Sequence, residues 1–105
     1  MPTPKKDLST PEGRRAASFG RWFRSRRSRI KRTLKMCAQV SGYSVSMLSE
    51  IERGLYDPLK LSLKAIPALS RAYNVRPEAI LWRLGIIEAP AISGWEEVKR
   101  SMEEE

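Results

Sequence analysis

The chain has 105 residues, with 20 Lys and Arg against 12 Asp and Glu, one cysteine (Cys37) and no histidine. That length suits one small domain with tails. A single cysteine excludes a disulfide framework and Cys-rich zinc sites, and the lack of histidine excludes Ser-His-Asp, Cys-His and His-ligated metal chemistry. No apolar run approaches the ~20 residues of a membrane span. The Met1-Pro2-Thr3-Pro4-Lys5-Lys6 start has no apolar core behind it, so it does not read as a secretory signal. A cytoplasmic protein with no membrane partner is expected.

Charge is unevenly spread. Residues 1–35 hold 12 basic and 2 acidic side chains, residues 36–75 hold 4 and 3, and residues 76–105 hold 4 and 7. So concentrated a positive charge repels itself unless a polyanion is near, which points to nucleic acid. A basic face kept for solubility is the plainer explanation. Acidic lipid is a third, but it requires a broad apolar face opposite the basic one.

Residues 1–17 contain three prolines, one glycine and few apolar side chains, and read as a flexible basic arm. From Ser18, a cap candidate, Phe19, Trp22, Phe23 and Ile30 fall on one helical stripe, while Arg21, Arg24, Arg26, Arg27 and Arg29 fill the rest. Thr33 caps a second predicted helix carrying Leu34, Cys37, Ala38 and Val40, which Gly42 stops. Ser44 caps a third, with Met47, Leu48 and Ile51 inward and Gly54 at its end. Two short helices across a tight glycine-containing turn form a helix-turn-helix pattern.

Asp57-Pro58 marks a turn. Ser62 is placed to start a fourth helix carrying Leu63, Ile66, Leu69 and Tyr73, and Pro67 within it predicts a late start or a kink. Pro77 suits the first position of a fifth helix, with Ile80, Leu81 and Leu84 inward and Gly85 at its end. Ser93-Gly94-Trp95-Glu96 is a capping box for a sixth, aligning Trp95, Val98 and Met102. No strand-like alternation occurs. The expected organisation is an arm over 1–17, an all-α helix-turn-helix domain over 18–85 and a C-terminal extension over 86–105.

The run from Thr33 to Gly54, with small Ala38, Gly42 at the turn and Leu48-Ser49-Glu50-Ile51-Glu52-Arg53-Gly54 followed by Pro58, resembles the lambda-repressor-like (Xre-type, Cro-like) helix-turn-helix family. The resemblance covers roughly residues 19–82. It implies a five-helix DNA-binding domain in which residues 44–53 enter the major groove. Val45, Ser46 and Glu50 then occupy base-reading positions, with Ser49 on the same outward side. Val45 suits a thymine methyl, Ser46 several base edges and Glu50 a cytosine amine. Ser46 and Ser49 as plain helix surface, and Glu50 as a solvated carboxylate, remain the alternatives.

Thr33 and Ser44 sit where helix N-termini meet phosphate. Leu34 replaces a glutamine that commonly touches phosphate in the family, and Lys35 is the expected substitute. Arg53, Tyr56 and Lys60 border the loop where the family touches the DNA backbone. The resemblance also pairs Arg27 with Glu52 as an internal ion pair, the alternative being two exposed charges. Arg26 and Arg32 stand where the family usually has apolar residues, Leu59-Lys60-Leu61 is additional, and Pro67 is unusual. Cys37 reads as a small core residue rather than a redox sensor.

These features predict a non-enzymatic, bacterial or phage-type, nucleoid-associated regulator, a repressor of transcription that binds double-stranded DNA without a cofactor, metal or evident small-molecule ligand. Trp82, Leu84, Ile86 and Ile87, with the Trp95-Val98-Met102 stripe, are equally suited to a homodimer interface and to closing the monomer core. Two competing functions are an antitoxin or adaptor whose main partner is a protein, held at the acidic residues Glu96–Glu105, and a nonspecific nucleic-acid-binding accessory protein.

Overall fold

Thr10 opens the first helix, not Ser18: its side chain accepts from the Gly13 amide at 3.0 Å, and Pro11 follows at the first helical position. A proline there gives up an amide that has no helical partner anyway, so the residue that made this segment read as an arm in fact initiates the helix. In the computed structural model, which describes residues 8–87 and residue 100, α1 runs Pro11–Arg29, α2 Leu34–Ser41, α3 Val45–Glu52, α4 Ala65–Tyr73 and α5 Pro77–Arg83. No strand occurs among the described residues. Residues 1–7, the capping box at Ser93–Glu96 and the Trp95-Val98-Met102 stripe lie outside the described residues.

The α2–α3 turn forms through local chemistry. Thr33 caps α2 by accepting from the Met36 amide at 3.1 Å, and Ser44 caps α3 by accepting from the Met47 amide at 3.0 Å. Between them Gly42 adopts φ 81°, a left-handed conformation open to glycine at little cost, and its amide donates to the Ala38 carbonyl.

Pro67 neither kinks nor breaks α4. The helix starts late, at Ala65, so Pro67 falls in its first turn, where no amide is needed. Ser62 is not the cap: Lys64 occupies that position without a side-chain bond, and the Ser62 carbonyl accepts from the Ala65 amide. The additional Leu59-Lys60-Leu61 is absorbed by one 3-10 turn, Pro58–Lys60, started by the Asp57 side chain accepting from the Leu59 amide.

The core gathers Phe19, Trp22 and Phe23 of α1 with Cys37, Leu48, Ile51, Leu69, Tyr73 and Ile80. Phe23 stacks on Tyr73 with ring centroids 4.0 Å apart and planes at 15°, which ties α1 to α4. Leu84 is buried in this same core and so is unavailable to a second chain. Trp82 is partly buried against it, whereas Ile86 is 55% exposed.

Candidate nucleic-acid interface

At 100° per residue, Val45, Ser46, Ser49, Glu50 and Arg53 occupy one arc of α3 and its cap, opposite the arc of Met47, Leu48, Ile51 and Glu52. Burial follows that division: Leu48, Ile51 and Glu52 are buried, Val45, Ser46, Glu50 and Arg53 are exposed, and Ser49 is half-buried at the edge. Thr33, Lys35, Ser44 and Lys60 are also exposed. Tyr56 is half-buried with its ring against the core. On α2 the exposed residues are Lys35, Met36, Gln39 and Val40, while Leu34 turns partly inward to the core. The cap hydroxyls of Thr33 and Ser44 are both engaged by their own helices, and the first amides of each helix have no carbonyl one turn back to bond.

Behind this face lies the Arg27–Glu52 pair. Arg27 Nε and Nη2 donate to the two Glu52 carboxylate oxygens at 2.7 and 2.9 Å, a bidentate arrangement. The hydrogen bond to Glu52 raises the Arg27 pKa above its usual value, against the opposing effect of burial. Tyr73, which the sequence marks only as apolar stuffing for helix four, donates its hydroxyl to the same carboxylate at 2.7 Å. Burial first and the Glu52 contact second push the Tyr73 pKa far up, so its proton stays on the phenol.

The arginines of α1 do not act as one basic surface. Arg14, Arg21 and Arg24 are exposed, while Arg15, Arg26 and Arg27 turn toward neighbouring elements. Arg15 makes a two-point contact with Asp57, Nε to Oδ1 at 3.3 Å and Nη2 to Oδ2 at 2.9 Å, fixing the start of α1 to the loop that carries Tyr56 and Lys60. Burial acts to raise the Asp57 pKa, but the Arg15 contact and the Leu59 amide together outweigh it, and the carboxyl sits below its usual range. Arg26 Nη2 donates to the Asn74 carbonyl at 2.9 Å, and Arg32 Nη1 donates to the carbonyls of Arg71 and Ala72 at 3.0 and 2.6 Å. Sequence placed Arg26 and Arg32 at unusual positions but did not say what they touch. A helix C-terminus with unpaired carbonyls is the partner that each one finds.

Among the described residues, no group of three or more Cys, Asp or Glu side chains gathers as a metal site would require. No described helix is long and apolar enough to cross a membrane.

Neither a family model nor a curated protein matches the sequence. Among solved structures, the fold is similar to that of the restriction-modification controller protein C.AhdI from Aeromonas hydrophila, with a TM-score of 0.54 and 26% identity. The match covers 62% of this chain and 94% of that one.

Proposed function

We propose that this protein is a sequence-specific double-stranded DNA-binding regulator of transcription, acting as a repressor by occupying its site. The observation that carries this reading is the α3 surface: an eight-residue helix, capped at Ser44, that keeps Val45, Ser46 and Glu50 exposed while Leu48, Ile51 and Glu52 anchor its other side. A helix of that size fits a major groove about 12 Å wide. Likeness to a controller protein supports a regulatory role and not an enzymatic one.

Val45, Ser46, Ser49 and Glu50 read base edges in this assignment. Phosphates meet the N-termini of α2 and α3 at Thr33 and Ser44, and the side chains of Lys35, Arg53, Tyr56 and Lys60. The reading set has short side chains and only one formal charge, so contacts to the backbone supply most of the affinity and α3 supplies the choice of sequence. Two copies bind a two-fold site, with Ile86 part of the apolar surface available for pairing.

A binding selection from a randomised duplex library tests the proposal. Recovery of a two-fold symmetric consensus is the expected result. Equal affinity for every duplex would replace this reading with that of a nonspecific accessory protein, and absence of binding would remove DNA as the partner.

A further inference from the structure

The geometry points to Arg32 as a positioning residue that sets the N-terminus of α2 for DNA without touching DNA itself, an inference that rests on the DNA-binding function proposed above. Arg32 lies one residue before Thr33, in the most basic third of the chain, where charge alone would assign it to phosphate. Its guanidinium turns the other way. Nη1 reaches the Arg71 and Ala72 carbonyls at the end of α4, at 3.0 and 2.6 Å. Its own carbonyl accepts from Arg27 Nη1 at 3.1 Å. The remaining nitrogens of Arg27 hold Glu52, at the end of α3, and Glu52 accepts from Tyr73. Tyr73 follows Ala72 in the chain, which closes a circuit through α1, the α1–α2 loop, α4 and α3.

The circuit has a directional consequence. Lys31, directly before Arg32, adopts φ 57°, a left-handed turn that aims the chain into α2. Arg32 then anchors the chain immediately before the Thr33 cap, where α2 begins. Arg32 Nη1 binds neutral carbonyls at the negative end of a helix dipole, so the charge is locally compensated and that nitrogen is engaged inside the domain. Each phosphate contact adds about 0.9 to the slope of log affinity against log salt, whereas an internal clamp adds nothing. Lysine replaces arginine on a phosphate as a point charge. Its ammonium is strongly hydrated and its stem flexible, so it holds the Arg71 and Ala72 carbonyls less firmly than Nη1 of a planar guanidinium does.

The test uses the full chain, as wild type, Arg32→Gln, Arg32→Lys and the comparison variant Lys35→Gln. Affinity is measured over a salt series for the duplex recovered by selection and for a random-sequence duplex of equal length. Unfolding midpoints are recorded alongside. Lys35→Gln is expected to reduce the slope by about one on both duplexes. The α2 N-terminus fixes the register in which α3 meets the bases, and a random duplex has no register to lose. Arg32→Gln and Arg32→Lys are therefore expected to keep the wild-type slope, to weaken the selected duplex roughly three- to thirtyfold, and to leave the random duplex within about twofold. A slope reduced by about one in Arg32→Gln and restored in Arg32→Lys makes Arg32 a phosphate contact and overturns the inference. Equal losses on both duplexes, tracking the unfolding midpoint, reduce it to a stability residue and also overturn it. Wild-type protein that binds neither duplex overturns the DNA-binding function and this inference with it.

Discussion

A Cβ placed on Gly20 would stand 2.5 Å from the carbonyl oxygen of Ile51 and 2.6 Å from that of Glu52. The backbones of α1 and α3 therefore meet with no side chain between them, and the depth at which α3 sits against the domain is set at this crossing. Neither neighbour is the far end of a flexible side chain; both are backbone atoms in the last turn of α3. Gly20→Ala is expected to destabilise the fold by about 1–3 kcal/mol, despite a helix-propensity gain of ~1 kcal/mol. The denaturant midpoint measures it. An unchanged or raised midpoint would mean that the two helices can separate freely at this point.

The Arg27–Glu52–Tyr73 group predicts a graded series. Replacing Glu52 with Ala leaves the Arg27 guanidinium without its main partner and is expected to cost about 3–5 kcal/mol. Tyr73→Phe keeps the stacked ring and removes one hydrogen bond to a charged acceptor, a loss of roughly 1.5–3 kcal/mol. In the double variant the two effects are expected to add to less than their sum, because both act on one carboxylate. Strict additivity in a double-mutant cycle would separate Tyr73 from the ion pair.

Asp57 gives a pH dependence whose sign follows from its lowered pKa. A carboxyl more acidic in the folded than in the unfolded chain contributes stability that is present above its unfolded value, near 3.9. That contribution is lost as pH falls through the lower folded value. Wild-type protein is thus expected to lose stability below about pH 4 more steeply than Asp57→Asn, which lacks the titrating group. Unfolding midpoints between pH 2 and 7 compare the two. Parallel curves would show that the Arg15 contact contributes little in solution.

On the α3 face, Ser46→Ala and Val45→Glu are expected to alter the preferred sequence, with each disturbed base contact costing roughly 1–3 kcal/mol. Arg53→Gln and Lys60→Gln are expected to weaken all duplexes alike and to lower the salt slope by about one each. A repeated selection with the first pair, and a salt titration with the second, read these outcomes. An unaltered consensus would remove α3 as the reader.

What the sequence made legible was short-range. Thr33, Gly42, Ser44 and Pro77 act within three or four residues of themselves, and their chemistry is the same in a peptide as in the fold. The start of α1 is not legible in the sequence because Pro11 and the polar residues around it fit a loop as well as a first turn. The Arg27–Glu52 pair came from family resemblance, since nothing local joins residues 25 positions apart. Arg15–Asp57 spans 42 positions and Arg32–Ala72 spans 40. Charge counts treat all these arginines as equivalent. Only the packing of α1 and α4 separates those facing a carbonyl or carboxylate from those facing solvent.

Cys37, the chain's single thiol, is fully buried, and its Sγ lies 3.5 Å from the Ala72 carbonyl that also receives Arg32. Burial raises its pKa against the opposing pull of Arg27 and Arg32, so the reactive thiolate is scarce as well as inaccessible. A thiol reagent can therefore mark this molecule only during moments when α2 lifts from α4. The labelling rate becomes an internal clock for that opening, readable without any engineered probe. Adding duplex should slow the clock in proportion to the fraction of protein bound, so one native sulfur reports both the breathing of the domain and its occupancy.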